Sequence, residues 1–251
     1  MKIIEYEIID WFILLGIILP LSIWTYQRNV VWNNEIGLWR DCLRKSPRKE
    51  RVYHNLGFAY YEQGRLNEAQ KEFEAAIRLN PKFVLSEYNL GLVYYQRGLW
   101  DEAVDHYQRA LELDPNHFDS LYNLGLAKLK KELFPEAIEA FKKLLEMKPD
   151  YENVNNNLGI AYGGLKQYEK AISYFHEELR AHPENFYTHV YMGFLYREMK
   201  DSSKALEHLK KALTFPDLPH AEKVKAAVLA IEKEQIPSPS SSSKKKGLGR
   251  E

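Results

Sequence analysis

The triplet Asn-Leu-Gly recurs along this chain at a fixed interval. Asn55-Leu56-Gly57, Asn89-Leu90-Gly91, Asn123-Leu124-Gly125 and Asn157-Leu158-Gly159 stand 34 residues apart, and Met192-Gly193 keeps the register. A unit of that length cannot bury its apolar face alone, so the units must stack on one another. Two further columns share the period: a small residue twelve places after each glycine (Ala69, Ala103, Ala137, Ala171, Ala205) and a bulky one four places beyond it (Phe73, Tyr107, Phe141, Phe175, Leu209). Small residues let helices approach closely, while the bulky one lies on the same helical face and fills the space between units. Pro81, Pro115, Pro149 and Pro183 close the first four units, where a missing amide hydrogen stops a helix.

The period and its small and large positions resemble the tetratricopeptide repeat (TPR). That resemblance implies an all-α solenoid, a right-handed superhelix of antiparallel helix pairs, with five units at 50–83, 84–117, 118–151, 152–185 and 186–217. The fifth unit departs from the pattern, with Pro216 one place early. After it, 218–234 reads as a capping helix whose stripe of Val224, Ala227, Val228 and Ile231 is apolar while Glu222, Lys223, Lys225 and Glu232 lie off it. Upstream, 27–49 supplies only the second half of a unit, with Trp39 in the bulky position and Cys42 in the small one further along.

Both ends differ from the repeats. After a flank at 1–10, the uncharged run from Trp11 to Tyr26 reaches roughly 24 Å as a helix, against roughly 30 Å of hydrocarbon. Extension back to Ile8 recovers most of the deficit, and Trp11, Trp24 and Tyr26 sit where interfacial aromatics belong. The segment 11–26 therefore reads as a single transmembrane helix in a lipid bilayer. A cleaved signal peptide fits poorly, since the start is acidic and no small-residue cleavage site follows. At the other end, 235–251 is rich in serine and lysine and lacks the apolar residues that ordering requires, so it reads as disordered.

The stretch Arg28-Asn29-Val30-Val31-Trp32, followed by Leu38-Trp39, resembles the junction in transmembrane-and-TPR mannosyltransferase-like proteins, where a last membrane helix enters the repeats. The catalytic, multi-spanning part of those proteins has no counterpart here. The resemblance therefore implies an accessory role beside a membrane glycosyltransferase rather than transfer itself, and it places the repeats on the extracytoplasmic side. Charge points the other way: Arg28, Arg40, Arg44 and Lys45 follow the membrane run while only Lys2 precedes it, which favours the cytoplasmic face.

In a TPR superhelix the first helices of the units line the concave face, so residues of one register form columns. Asn55, Asn89, Asn123 and Asn157 make such a column, and an amide that both donates and accepts suits pairing with any peptide backbone. The column resembles the asparagine ladder in the repeat domain of O-linked N-acetylglucosamine transferase, which holds substrate polypeptides. The alternative is that these amides satisfy backbone groups at the helix turns. One residue earlier stand His54, Tyr88, Tyr122 and Asn156; three residues later stand Phe58, Leu92, Leu126 and Ile160. These would wall a groove for a protein or extended peptide, or serve as ordinary packing residues. Tyr191 breaks the ladder in the fifth unit, where peptide contacts should fade.

Chemistry is otherwise sparse, and the expected protein is a binding scaffold, not an enzyme, with no cofactor and no metal. Lys plus Arg and Asp plus Glu both total 35, and the basic residues do not collect on one face of the repeats, so no nucleic-acid partner is expected. His176 and His182 lack the spacing that puts two metal ligands on one helical face. Gly163-Gly164, read as lying between helices, lacks the following lysine of a phosphate loop. The lysine and asparagine set that clamps a terminal carboxylate in chaperone-tail receptors is not evident. A single cysteine, Cys42, excludes an internal disulfide.

Overall fold

The computed structural model describes residues 34–235. The expected membrane run at 11–26 and the tail from Pro237 lie outside the described residues. Among those described there are helices and no strand: α1 (Glu35–Lys45), α2 (Glu50–Glu62), α3 (Leu66–Leu79), α4 (Val84–Gln96), α5 (Trp100–Leu113), α6 (Phe118–Lys130), α7 (Phe134–Met147), α8 (Val154–Gly164), α9 (Tyr168–Ala181), α10 (Phe186–Glu198), α11 (Ser202–Ala212) and α12 (Ala221–Gln235). None of these is long and apolar enough to cross a membrane. Gly163 and Gly164 are the last two residues of α8, which corrects their placement between helices.

The repeat fixes the helix ends. Helices α3, α5, α7 and α9 stop two residues before Pro81, Pro115, Pro149 and Pro183. The residues in between, Asn80, Asp114, Lys148 and His182, have φ of −140°, −139°, −144° and −130°, because the ring of a following proline excludes its predecessor from the helical region. The turn from first to second helix also recurs. It places one residue per unit in the left-handed region: Gly64, Gly98, Glu132, Lys166 and Lys200, with φ of 70°, 74°, 57°, 58° and 62°. Only the first two units use the residue that adopts this conformation without cost; a side chain there costs roughly 1–2 kcal/mol.

The described residues form two compact units, divided after Ala127 near the end of α6. In the first unit α1 packs on α2, α2 on α3, α3 on α4 and α4 on α5. In the second, α7 packs on α8, and the sequence of neighbours continues to α12. At Gly57, Gly91, Gly159 and Gly193 the two helices of a pair meet with no room for a side chain. A Cβ on Gly57 would lie 2.9 Å from the Phe73 ring, one on Gly91 2.5 Å from Tyr107, and one on Gly193 2.5 Å from Leu209; at Gly159 the clash is with Phe175. The bulky column therefore sits on the glycine of its own unit. It also reaches the next unit, since Phe73 shares a core with Leu90 and Val93, and Tyr107 with Leu124 and Ala127. The apolar stripe of α12 is buried at Val224, Ala227, Val228 and Ile231, leaving Leu229 exposed.

Candidate functional site

In the first unit, Asn55 on α2, Asn89 on α4 and Asn123 on α6 occupy one register. Asn89 is only 7% exposed, yet neither its amide nor that of Asn55 makes a hydrogen bond within the described residues. Neither amide ties down a helix turn. Asn123 donates from Nδ2 to the Asp119 carbonyl (2.8 Å) and to the Tyr88 hydroxyl (3.4 Å), which leaves Oδ1 to accept. Beside them Phe58 is 41% exposed and Leu92 and Leu126 are half-buried. Two tyrosines passed over in the sequence reading join this face. Tyr61 stacks on Phe58 and accepts a 2.7 Å hydrogen bond from Gln96 Nε2, and Tyr95 lies edge-on to Trp100. Their 34-residue spacing is the signal that marks them.

The column one residue before the asparagines is turned inward. His54 is buried between the rings of Phe73 and Phe83, with Nδ1 3.1 Å from Ser86 Oγ on the next first helix. Tyr88 packs against Tyr107 and His117, and burial pushes its hydroxyl up to about 12. Tyr122 is half-buried, and after burial itself it is the second influence that raises the Tyr95 hydroxyl above its ordinary value. The Tyr107 hydroxyl is buried without a hydrogen-bond partner among the described residues.

In the second unit, Asn157 and Asn156 are both buried, and Ile160 is half-buried. Asn156 repeats the His54 arrangement: its Oδ1 accepts from Thr188 Oγ1 at 2.9 Å, again on the next first helix. Behind it Glu178, 1% exposed, accepts from Asn185 Nδ2 at 2.9 Å and from the Asn156 backbone N–H at 3.3 Å. Three helices are thereby braced through one carboxylate. Tyr191, at the ladder position of α10, stacks on Phe175 with an interplanar angle of 5°. Among the described residues no group of three or more His, Cys, Asp or Glu side chains could hold a metal ion.

A pair of histidines joins α10 to α11. His189 Nδ1 and His208 Nδ1 are 3.0 Å apart, so one must donate and the other accept, and only one of these nitrogens carries a proton. Tyr196 stacks on His208 and Phe215 on His189. Burial, then the neighbouring His208, pushes His189 down to about 4; burial also lowers His208. The other charges facing the pair are Glu207, Lys204, Lys211 and His176.

Family profiles of the TPR repeat match residues 57–98 and 91–132, and a tetratricopeptide-repeat profile matches 122–186. The chain belongs to the tetratricopeptide-repeat family. Its curated relatives are much longer proteins. Over 67 residues, 27% of this chain, it is 31% identical to a protein O-mannosyl-transferase of Caenorhabditis elegans, of which 10% is matched. Over 63 residues it is 30% identical to the protein O-mannosyl-transferase Tmtc3 of Drosophila melanogaster, of which 7% is matched. Among solved structures it is similar to YrrB, described as a TPR protein with an unusual peptide-binding site (TM-score 0.61, 22% identity, 75% of this chain and 97% of that one). It is likewise similar to MamA of Desulfovibrio magneticus RS-1 (0.61, 24%, 74% and 96%) and to PilF of Pseudomonas aeruginosa (0.64, 18%, 83% and 95%). At these identities the structural likeness is one of fold.

Three depressed histidines set a pH dependence for this TPR array. Burial takes His54 to about 4, as it does His189, and lowers His208. In the unfolded chain they take up protons below about 6.5, so the unfolded state binds more protons than the folded one in the window from there to about 4. Stability is therefore present above that window and lost as the pH falls through it. The melting temperature of the protein should drop between about pH 7 and about pH 5, and His189→Asn should flatten the drop. A melting temperature constant over that interval contradicts the assignment.

Proposed function

We propose that this chain is a membrane-anchored scaffold that holds an extended polypeptide along the first helices of its repeats. The reading is carried by the side-chain amides of Asn55, half-buried, and Asn89, 7% exposed, neither of which has a hydrogen-bond partner among the described residues. Such an amide is available to both donate to and accept from a ligand. A peptide backbone offers an N–H and a carbonyl at every residue, whatever its sequence, and the neighbouring Phe58, Leu92 and Leu126 add apolar surface for its side chains. Nothing in the repeats calls for a catalytic role.

A second reading makes the chain an accessory, substrate-presenting partner of a membrane glycosyltransferase. It is favoured by the stretch of identity to protein O-mannosyl-transferases. In either reading residues 11–26 hold the chain in the bilayer, with the repeats on the cytoplasmic face by charge and on the opposite face by that likeness.

Two experiments test these proposals. For a peptide selected against the full chain from a random display library, Asn55→Ala with Asn89→Ala should weaken binding by about 1–3 kcal/mol, at roughly 0.5–1.5 kcal/mol per hydrogen bond, while the melting temperature holds. Lost stability with unaltered affinity would remove the ladder as a binding element. Membranes carrying the full chain, washed in alkaline carbonate and then solubilised, should retain it and yield it together with a multi-spanning transferase. Release by the wash contradicts the anchor, and a chain free of any transferase contradicts the second reading.

A further inference from the structure

The first-helix face is closed in the first unit and open in the second. At the register of Tyr61 and Tyr95 the fourth repeat carries Gly163. Between α2 and α4 the gap is spanned by Tyr61 and the Gln96 side chain bonded to it. Between α8 and α10 no side chain fills the corresponding space: a Cβ added to Gly163 would meet only Leu195 Cδ1, at an ordinary 3.5 Å. A cleft of about 200 Å³ results, with Phe175 at its base and Ile160, Tyr191 and Phe194 around it. Along the same face of α10 stand three exposed aromatic residues, Tyr187 (48%), Tyr191 (41%) and Phe194 (36%), spaced four and three apart so that they form one stripe.

We infer that this cleft is an anchor subsite for one bulky apolar side chain of an extended partner peptide, with a lysine or arginine of that peptide beside it. The inference rests on the polypeptide-binding reading above and gives it a sequence preference. The cleft is smaller than the roughly 300–1,000 Å³ of small-molecule sites, which suits a single side chain rather than a metabolite. Its surface is almost wholly apolar, and its one charged residue is the exposed Glu198 at the end of α10, which has no ion-pair partner among the described residues. An occupant that buries an apolar side chain next to an unpaired carboxylate gains most if it brings a cation. The apolar side chain supplies a specificity that paired backbone amides cannot. The fifth repeat, where Tyr191 replaces asparagine, thus becomes the point at which the sequence of the partner is read.

The test selects peptides from a random-sequence display library on the full chain and repeats the selection on two variants. Gly163→Leu fills the cleft with the chain's own side chain, in a helical position where leucine is the better helix former, so folding is preserved. Glu198→Lys reverses its one charge. The expected result is enrichment of leucine, isoleucine, phenylalanine or methionine next to a basic residue. Those peptides should bind Gly163→Leu roughly ten-fold or more weakly, from the lost burial of one side chain. The basic preference should turn acidic on Glu198→Lys. Selected peptides that lack an apolar anchor, or that bind Gly163→Leu unchanged, overturn the subsite while leaving the ladder reading standing. A selection that returns no peptide overturns both. Light scattering provides a further check: a dimer that Phe194→Ser dissociates would assign the stripe to a second copy and overturn the proposal.

Discussion

A hydrogen atom in place of a side chain, at Gly57, Gly91, Gly159 and Gly193, is the constraint on which four helix pairs depend. The ring or leucine sixteen residues further on occupies the space where a Cβ would stand, at distances that no real Cβ tolerates. Phe73, Tyr107 and Leu209 are completely buried there, and Phe175 nearly so. Because the contact lies between the two helices of one pair and also touches the following first helix, it fixes the pair and the stacking of pairs together. The tight turns with one left-handed residue serve the same end, by returning the second helix onto the first at the required spacing. Three of these turns carry glutamate or lysine in that conformation, a local cost that the packed pairs sustain.

The glycine also decides which residues of a first helix are left for function. Successive residues turn by about 100° round the axis, so Asn55, two places before Gly57, points about 160° away from the second helix of its pair. That face is free to meet a ligand. His54, three places before the glycine, lies only about 60° from it and turns toward the packing, where it meets Ser86 and two phenylalanine rings. Asn156 obeys the same geometry with Thr188. Gly163, four places after Gly159, lies about 40° from it, and with no side chain of its own it lines the cleft together with Phe175.

How much of this was legible in the sequence follows from what each signal encodes. The 34-residue period, the small and bulky columns and the prolines report backbone geometry, which every unit must satisfy alike, and they led directly to the helix pairs. The wall of the binding face was read less well. His54, Tyr88 and Tyr122 were set beside the asparagines as a groove wall, but each stands three places before its glycine, about 60° from it round the axis, and so turns toward the packing. Gly163 was read as lying between helices; it ends α8 instead, and its meaning lies in what Tyr61 and Tyr95 do at the same register. The proximity of His189 and His208 had no sequence signal at all, since their nineteen-residue separation acquires meaning only once α10 and α11 are packed.

The account's central claim, that the bulky residue occupies the place of a missing Cβ, is tested most directly by a double-mutant cycle on Gly91 and Tyr107, followed by denaturant unfolding of the full chain. At Gly91 every heavy atom that a Cβ would meet most closely belongs to the Tyr107 ring. Gly91→Ala alone should cost about 1–3 kcal/mol through overpacking. In a Tyr107→Ala background the same change should cost nothing, or stabilise by up to about 1 kcal/mol through better helix propensity. An equal cost in both backgrounds would contradict the claim.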